Sequence, residues 1–137
     1  MDQGIFRLDG KVALVTGGCY GIGYAIAKAL WQAGAAIAFN ASRRETVDEA
    51  MKAYEADGIP ARGYVFDVTD EAAIREVIPR IEADLGVVDI LINNAGIISR
   101  VPMLEMSAED FRRVIDVDLT AAFLMAKAVL PGMIKKG

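Results

Sequence analysis

The sequence predicts an α/β fold in which parallel strands form a single sheet with helices on both faces, a doubly wound arrangement. Short apolar runs alternate with longer segments of helical periodicity, and no turn motif joins two runs into a hairpin. This order of elements requires parallel strands with right-handed crossovers. With 54% hydrophobic and 25% charged residues, the chain can form a packed core, and we assign residues 1–137 to one domain.

The first half of the chain contains two strands and two helices. A continuous apolar run over residues 12–16 is typical of a strand buried on both faces, and the helix after it ends at Gly34. The second strand is expected over residues 35–40. Ser42 opens a segment with capping-box spacing, so the second helix is expected to begin there and to end near Gly58. The apolar stripes of the two helices are Ile22, Ile26, Leu30 and Ala33, and Val47, Ala50, Met51 and Tyr54.

A third strand and a third helix follow. The strand is expected over residues 61–66, and Thr69 is placed to cap a helix that Gly86 ends. Pro79 lies on the polar side of this helix, so we expect one kinked helix rather than two. The stripe consists of Ile74, Val77, Ile78, Ile81 and Leu85.

The last elements are a strand over residues 88–92, a loop over residues 93–106 and a long helix from Ser107 to about residue 133. The helix carries one stripe of Phe111, Val114, Ile115, Asp118 and Ala122. Asp118 is therefore expected to face inward. A buried carboxylate must be hydrogen-bonded or protonated, so two interpretations remain open: a functional acid, or an acid that caps a backbone group.

Composition excludes several classes of site. The chain has no histidine and a single cysteine, which removes Ser-His-Asp triads, histidine metal ligands and intrachain disulfides. A net charge of −4 with scattered basic residues disfavours nucleic acid. We see neither a signal peptide nor an apolar run of the ~18 residues that a membrane span needs, so we expect a cytoplasmic protein without membrane association.

A glycine-rich loop over residues 16–23 joins the first strand to the first helix, where a helix N-terminus can receive a pyrophosphate. Gly17 permits a tight exit from the strand, Gly21 lets backbone approach the phosphates, and Gly23 lets the helix pack closely. The loop therefore predicts a dinucleotide site. Its expected cofactor-binding residues are Gly17, Cys19, Tyr20, Gly21, Ile22 and Gly23.

The glycine spacing Gly-x-x-x-Gly-x-Gly resembles that of the short-chain dehydrogenase/reductase family. Three further landmarks occur in the family's order: Asp67-Val68, Asn93-Asn94-Ala95-Gly96 and the stretch 113–119. The resemblance covers essentially all of the chain. It implies the N-terminal half of a Rossmann-type domain, with strand order 3-2-1-4 and without the family's fifth to seventh strands.

The resemblance also implies cofactor contacts. Asp67 would bond the adenine amino group and Val68 would pack near the ring, although Asp67 is also a common turn residue. Asn94, Ala95 and Gly96 would line the cofactor, and the family also uses the Asn-Asn motif to tie neighbouring strands together.

The end of the second strand distinguishes NADP from NAD. An acidic side chain there bonds the ribose 2′-hydroxyl of NAD, whereas the 2′-phosphate of NADP requires cations. No carboxylate occupies this position, and Ser42, Arg43 and Arg44 follow it. An arginine fork matches a phosphate group, so we expect NADP, with NAD as the alternative if these arginines are only solvated.

The family's reaction uses a Ser and a Tyr-x-x-x-Lys pair beyond the fifth strand, and neither is expected within these 137 residues. Tyr24 and Lys28 have the same spacing but lie in the first helix, so we interpret them as helix surface. The family's fourth catalytic residue is an Asn in the long helix, where this chain has Asp118. The departure leaves open whether Asp118 takes part in the family's proton relay.

Residues 6–11 and 93–105 resemble the subgroup of gluconate 5-dehydrogenases and related sugar-acid or polyol dehydrogenases. The expected activity is hydride transfer between NADP and a small hydroxyl or ketone substrate, whose carboxylate Arg100 could bind. Two alternatives remain: a 3-oxoacyl carrier-protein reductase, or a catalytically incomplete fragment that only binds dinucleotide.

Family members are commonly tetramers. Apolar residues on two sides of the long helix, together with a mean hydropathy of +0.32, indicate burial against further copies. The chain is therefore expected to form a homo-oligomer, a tetramer or a dimer. The residues concerned are Leu119, Phe123, Leu124 and Leu130.

Overall fold

The structure, a computed structural model, describes residues 3–137. A short 3₁₀ helix, Gln3–Phe6, precedes a regular alternation of strands and helices. The strands are β1 (Val12–Val15), β2 (Ala36–Ala41), β3 (Arg62–Val65) and β4 (Ile90–Ile92). The helices are α1 (Gly21–Gln32), α2 (Arg44–Ala56), α3 (Glu71–Leu85), α4 (Ala108–Ile115) and α5 (Ala121–Lys136), and a π-helical segment, Asp116–Thr120, joins α4 to α5.

The four strands form one parallel sheet in the order β3-β2-β1-β4, which confirms the predicted topology. Val15 lies opposite Phe39 of β2 on one side and Ile92 of β4 on the other. Within the described residues, β4 pairs on one side only, so its outer edge has free backbone groups. β1, β3 and β4 are shorter than expected by one or two residues, and β2 has the expected length but is shifted by one residue; strand ends are where propensity is least informative.

Helices cover both faces of the sheet, as the doubly wound prediction requires. Leu14 points into a cluster with α3 and α5, whereas its neighbours Ala13 and Val15 point into a cluster with α1 and α2. This alternation explains the continuous apolar run of β1, because each face of a central parallel strand is covered. The arrangement leaves the carboxyl ends of all four strands at one edge, where the connecting loops converge.

Two predicted helix caps are wrong. The N-cap of α2 is Arg43 and not Ser42, because the backbone stays extended through Arg43, and no side chain caps that terminus. The N-cap of α3 is Asp70 and not Thr69, because the carboxylate of Asp70 accepts the N–H of Ala73 at 3.0 Å. Thr69 instead donates its hydroxyl to Asp67 at 2.7 Å.

Other local predictions agree with the structure. Pro79 lies inside the single helix α3, and Gly34 and Gly86 end their helices with φ of 111°. Ser107 caps α4 by accepting the N–H of Asp110 at 3.0 Å. The placement of Met51 on the buried stripe of α2 is wrong, because this side chain is 37% exposed.

The predicted inward stripe of the long helix is wrong. Asp118 is exposed, and Phe111 and Ile115 are 56% and 39% exposed. None of the residues of α4 is buried in the described chain. The π-helical segment after it changes the number of residues per turn, so an α-helical stripe cannot continue to Asp118. The buried face after this segment consists of Ala121, Met125 and Val129, which pack in the α3 cluster.

The combined helix Ala108–Lys136 is long and apolar enough, by length and composition alone, to cross a membrane, in contrast to the expectation from continuous apolar runs in the sequence. Only 17% of its apolar window is buried in the described part of the chain. The evidence for a span is weak, because a core helix of a globular protein passes the same test and this one packs Met125 and Val129 against α3.

Candidate functional site: a groove at the carboxyl edge of the sheet

A groove of about 420 Å³ lies at the carboxyl edge of the sheet, within the usual size range of small-molecule sites. Loops from all four strands and one face of α4 line it. The sequence-predicted residues in its walls are Gly17, Cys19, Tyr20, Gly21, Ile22, Gly23, Ser42, Arg43, Asp67, Val68, Asn94, Ala95 and Gly96. Within the described part of the chain, Arg44 and Arg100 do not line the groove.

The glycine loop adopts a shape that side chains would prevent. Gly17 and Gly21 have φ of 63° and 58°, in the left-handed region that favours glycine. A Cβ on Gly23 would lie 2.6 Å from the carbonyl oxygen of Gly17 and would collide with the amide of Asn94. A Cβ on Gly21 would meet nothing within 4 Å and would project into open space. Gly23 therefore closes the loop against the sheet, and Gly21 keeps it open above.

Helix α1 begins at this loop without a side-chain cap. Its N-cap, Tyr20, is extended and makes no capping hydrogen bond, and its ring is 77% exposed. The first N–H groups of a helix have no partner within the helix, and the helix dipole adds partial positive charge there. The beginning of α1 is therefore suited to an anionic group in the groove.

Thr16 and Asn94 join the glycine loop to the end of β4. The hydroxyl of Thr16 accepts the N–H groups of Asn94 at 3.1 Å and of Ala95 at 3.0 Å. The amide of Asn94 in turn donates to the carbonyls of Thr16 at 3.0 Å and Gly17 at 3.1 Å. These bonds confirm that Asn94 ties neighbouring strands together, and they fix the position of two groove walls.

A second pair of side chains holds the loop from below. Asn40, which is 2% exposed, accepts the N–H of Gly17 and donates to the carbonyl of Phe66, both at 2.9 Å. The hydroxyl of Tyr54 donates to the carbonyl of Gly18 at 2.6 Å. The Asn40 amide therefore joins the glycine loop to the chain at the end of β3.

Cys19 lies under the loop with its thiol 3.5 Å from the carbonyl of Asn40. Burial raises the pKa of this thiol to about 11, and it raises the pKa of the Tyr54 hydroxyl as well. Both groups therefore stay protonated at neutral pH. The thiol packs in the loop and is not poised as a nucleophile, because the thiolate is the reactive form.

The corner between β2 and α2 forms one end of the groove. Ser42 and Arg43 are exposed here, and Thr46 in the first turn of α2 lines the same wall. The described part of this wall contains no carboxylate. It presents a guanidinium, two hydroxyls and an uncapped helix N-terminus, all of which favour an anion.

Asp67 and Val68 follow β3 on the adjoining wall. Oδ1 of Asp67 accepts the backbone N–H and the hydroxyl of Thr69, at 2.8 and 2.7 Å, so the turn role expected for an aspartate is real. Within the described chain, Oδ2 has no hydrogen-bond partner, and it remains available in the groove. Val68 is buried and forms part of the groove floor.

Asp118 reaches the loop after β4. One carboxylate oxygen accepts the N–H of Ile97 at 2.8 Å, and the other side of Gly96 is open to the groove. A Cβ on Gly96 would lie 3.3 Å from Asp118, so glycine keeps this approach free of crowding. Of the two interpretations of Asp118, the structure supports the acid that caps a backbone group. Arg100 is exposed further along the same loop.

Tyr24 and Lys28 are placed outside the groove, as expected. The hydroxyl of Tyr24 and the ammonium of Lys28 lie 2.9 and 3.0 Å from the carboxylate of Asp57, and they join α1 to α2. Burial, and then Asp57, raises the pKa of the Tyr24 hydroxyl, which is opposite to the activation of a catalytic tyrosine. The pair is structural.

Sequence reasoning missed the lining residues Asn40, Thr46, Arg113 and Val117. It also missed the side chains of Thr16 and Tyr54, which bond the loops beside the groove without lining it. Thr16 directly follows β1 and Asn40 is the penultimate residue of β2, and a polar residue near the end of a buried strand was the available signal. The others lie on helices, where no local pattern distinguishes a groove wall from solvent.

The fold and the groove define the class: this is a Rossmann-type protein, with its loops gathered where such folds bind nucleotides. The chain matches the short chain dehydrogenase family over residues 11–137, and it belongs to that family.

Two similar proteins act on deoxygluconate derivatives. The 2-dehydro-3-deoxy-D-gluconate 5-dehydrogenase of Formosa agariphila is 45% identical over 99% of this chain and 52% of its own length. The crystal structure of a 2-keto-3-deoxy-D-gluconate dehydrogenase from Streptococcus agalactiae has a TM-score of 0.87 and 61% identity, over 96% of this chain and 50% of that one. The chain therefore spans about half the length of the relatives it matches.

Other matches bear on cofactor and substrate. A gluconate 5-dehydrogenase from Burkholderia cenocepacia, solved with NADP and tartrate, has a TM-score of 0.89 and 38% identity over 99% of this chain and 53% of that one. A xylitol dehydrogenase with 38% identity and a TM-score of 0.87, over 95% of this chain and 50% of that one, was solved with NAD⁺. The 3-oxoacyl-[acyl-carrier-protein] reductase of Thermotoga maritima is 39% identical over 95% of this chain and 53% of its own length.

Proposed function

We propose that this chain is the cofactor-binding half of an NADP-dependent oxidoreductase that interconverts a hydroxyl group and a ketone on a sugar acid or polyol such as gluconate. The observation that carries the proposal is the groove itself. It combines an uncapped helix beginning at the glycine loop with a wall at Ser42 and Arg43 whose described residues offer one guanidinium and no carboxylate. These features suit a pyrophosphate and a 2′-phosphate.

Each wall has a distinct proposed task. The backbone of Gly21 and Ile22 binds the pyrophosphate, Arg43 and Ser42 bind the 2′-phosphate, and Oδ2 of Asp67 accepts the adenine amino group. A bound nicotinamide dinucleotide supplies the hydride acceptor for oxidation, or the hydride donor for the reverse reaction. Asn94 and Gly96 flank the part of the groove beside β4, and Asp118 holds that loop in place through Ile97.

The cofactor choice is tested by binding to the purified 137-residue chain. We expect NADP⁺ to bind more tightly than NAD⁺. We also expect Arg43→Ala to weaken the binding of NADP⁺ by about 10-fold, the loss expected for one charge-assisted pair, and to change the binding of NAD⁺ little. Arg44→Ala is the matched control, since Arg44 lies outside the groove lining. Equal binding of the two dinucleotides, or equal effects of the two substitutions, would contradict the NADP assignment.

The substrate proposal rests on the relatives, three of which are named for gluconate or its deoxy derivatives. Arg100 is proposed to bind the substrate carboxylate, because it is exposed on the loop that leaves the groove beside β4 and, within residues 3–137, forms no ion pair. The similarity to a carrier-protein reductase keeps a 3-oxoacyl substrate as the second candidate.

Turnover separates an enzyme from a binding module. The family's Ser and Tyr-x-x-x-Lys groups are not expected within this chain, so we expect it to bind NADP⁺ without oxidising gluconate, and to support turnover only when a second half like that of its relatives is supplied. Formation of NADPH from gluconate by the 137-residue chain alone would overturn the expectation and exclude the role of a pure binding module.

We also propose a homo-oligomer, a dimer or tetramer, formed through the exposed side of the long helix. Leu119 and Phe123 are 64% and 62% exposed there, and Leu130 is 47% exposed. Apolar side chains of this size are rarely left in water over a continuous face. Sedimentation at several concentrations tests the proposal, and a chain that stays monomeric throughout would contradict it.

A further inference from the structure

Arg113 is a groove residue without an assigned task. It lies in the last turn of α4 and lines the groove together with Val117, Ile97 and Gly96. Its side chain is exposed, and within the described chain it makes no ion pair. Its neighbour Arg112 is also exposed but lines no part of the groove. One of two adjacent arginines is therefore directed to the site.

The position of Arg113 follows from the floor of the groove. Val68 and Val117 pack in the same apolar cluster and both line the groove. Arg113 and Val117 both line the groove, so they lie on the same side of the helix. Asp67 adjoins Val68 in the chain. The lining thus combines an apolar floor with a guanidinium from α4 and a free carboxylate oxygen from the loop after β3.

We infer that Arg113 covers the adenine ring of the bound dinucleotide, with the ring between its guanidinium and Val68. The inference rests on the proposed function, and it adds a residue that determines how the base is held. A planar, weakly hydrated guanidinium stacks well on an aromatic face, and the apolar floor excludes water from the opposite face.

Other planar side chains are poorly placed for this task. Of the aromatic residues in the described lining, Phe66 is buried and Tyr20 belongs to the glycine loop. The cation at the 2′-phosphate end is Arg43, on the β2–α2 corner. Arg113 is left as the planar group that lines the groove beside the apolar floor of Val68 and Val117.

Ligands that contain adenine but differ in phosphate content test the inference. Binding of 5′-AMP and 2′,5′-ADP to the 137-residue chain is measured by calorimetry for Arg113→Ala, Arg113→Lys and Arg112→Ala. We expect Arg113→Ala to weaken both ligands by the same factor, about 5-fold for a cation over an exposed ring. Arg113→Lys should recover part of the loss, and Arg112→Ala should bind as the parent does.

Three outcomes would overturn it. If the Arg113→Ala chain binds both ligands as tightly as the parent chain, Arg113 does not contact the adenine, and the proposed function still stands. A loss confined to 2′,5′-ADP and restored by Arg113→Lys assigns the side chain to the phosphate instead of the base. Failure of the unsubstituted chain to bind either ligand refutes the proposed function and the inference with it. Equal urea midpoints for the Arg113→Ala and Arg112→Ala chains exclude a folding defect as the cause of a loss.

Discussion

Replacing Asn40 by alanine tests how the groove is built. The Asn40 amide is 2% exposed and joins three parts of the fold: the end of β2, the N–H of Gly17 and the carbonyl of Phe66, with both hydrogen bonds at 2.9 Å. Alanine removes both bonds and leaves a donor and an acceptor without partners. The Phe66 carbonyl belongs to a buried residue and has little access to water. The N–H of Gly17 lies at the groove, so water can replace its lost hydrogen bond.

The expected cost follows from these two groups. A net hydrogen bond contributes about 1 kcal/mol, and a buried polar group left unpaired costs about 1–3 kcal/mol. One resolvated donor and one stranded acceptor together give about 3 kcal/mol. Asn40→Asp should cost a similar amount at neutral pH, because it keeps the acceptor for Gly17 but sets a carboxylate oxygen against the Phe66 carbonyl.

Urea unfolding of the 137-residue chain measures the loss of stability. NADP⁺ binding to the same samples shows whether the glycine loop keeps its conformation. Asn93→Ala is the matched control: Asn93 is exposed at the end of β4 and, within residues 3–137, its side chain makes no hydrogen bond, so its loss should change stability by less than about 0.5 kcal/mol. An Asn40→Ala chain as stable as this control would refute the argument that the buried amide holds the loop.

Three further substitutions probe the same framework. Gly23→Ala should weaken NADP⁺ binding at least about 10-fold, since its Cβ would lie 2.6 Å from the Gly17 carbonyl and displace the loop; unchanged titration curves would contradict this. The Tyr54→Phe chain should lose about 1 kcal/mol in urea, because the hydroxyl bonds a loop carbonyl at 2.6 Å, and an unchanged midpoint would argue against that bond. Burial raises the pKa of Asp89, but hydrogen bonds from Lys136 and a backbone N–H outweigh it, so the pKa lies below its usual value. The stabilisation from this carboxylate is complete above its unfolded pKa of about 4 and is lost as pH falls through the folded value, so Lys136→Met should destabilise the chain at pH 7 and much less near pH 2.

Much of the fold could be predicted from local signals. The apolar run of β1 and the glycines at 34 and 86 report contacts or backbone conformations that each short segment needs regardless of its neighbours. The strand order, the glycine loop and the tying role of Asn94 followed in the same way or from the family resemblance, and the structure agrees. The caps of α2 and α3 did not follow: α2 begins after Arg43 without a side-chain cap, and at α3 both Thr69 and Asp70 are capable of capping, so the chain path selects between them.

The amino-acid sequence alone determined the alternation of strands and helices and the place where a dinucleotide could bind, since these depend on residues close together along the chain. The tertiary structure decided which side chains form the site. Asn40 hydrogen-bonds Gly17, 23 residues away in the chain, and Asp118 hydrogen-bonds Ile97, 21 residues away. Asp118 lies in a π-helical segment that the hydrophobic periodicity does not predict. Contacts of this kind arise when distant loops converge at one edge of the sheet. They could not be predicted from the sequence because packing, not local propensity, determines where each helix face points.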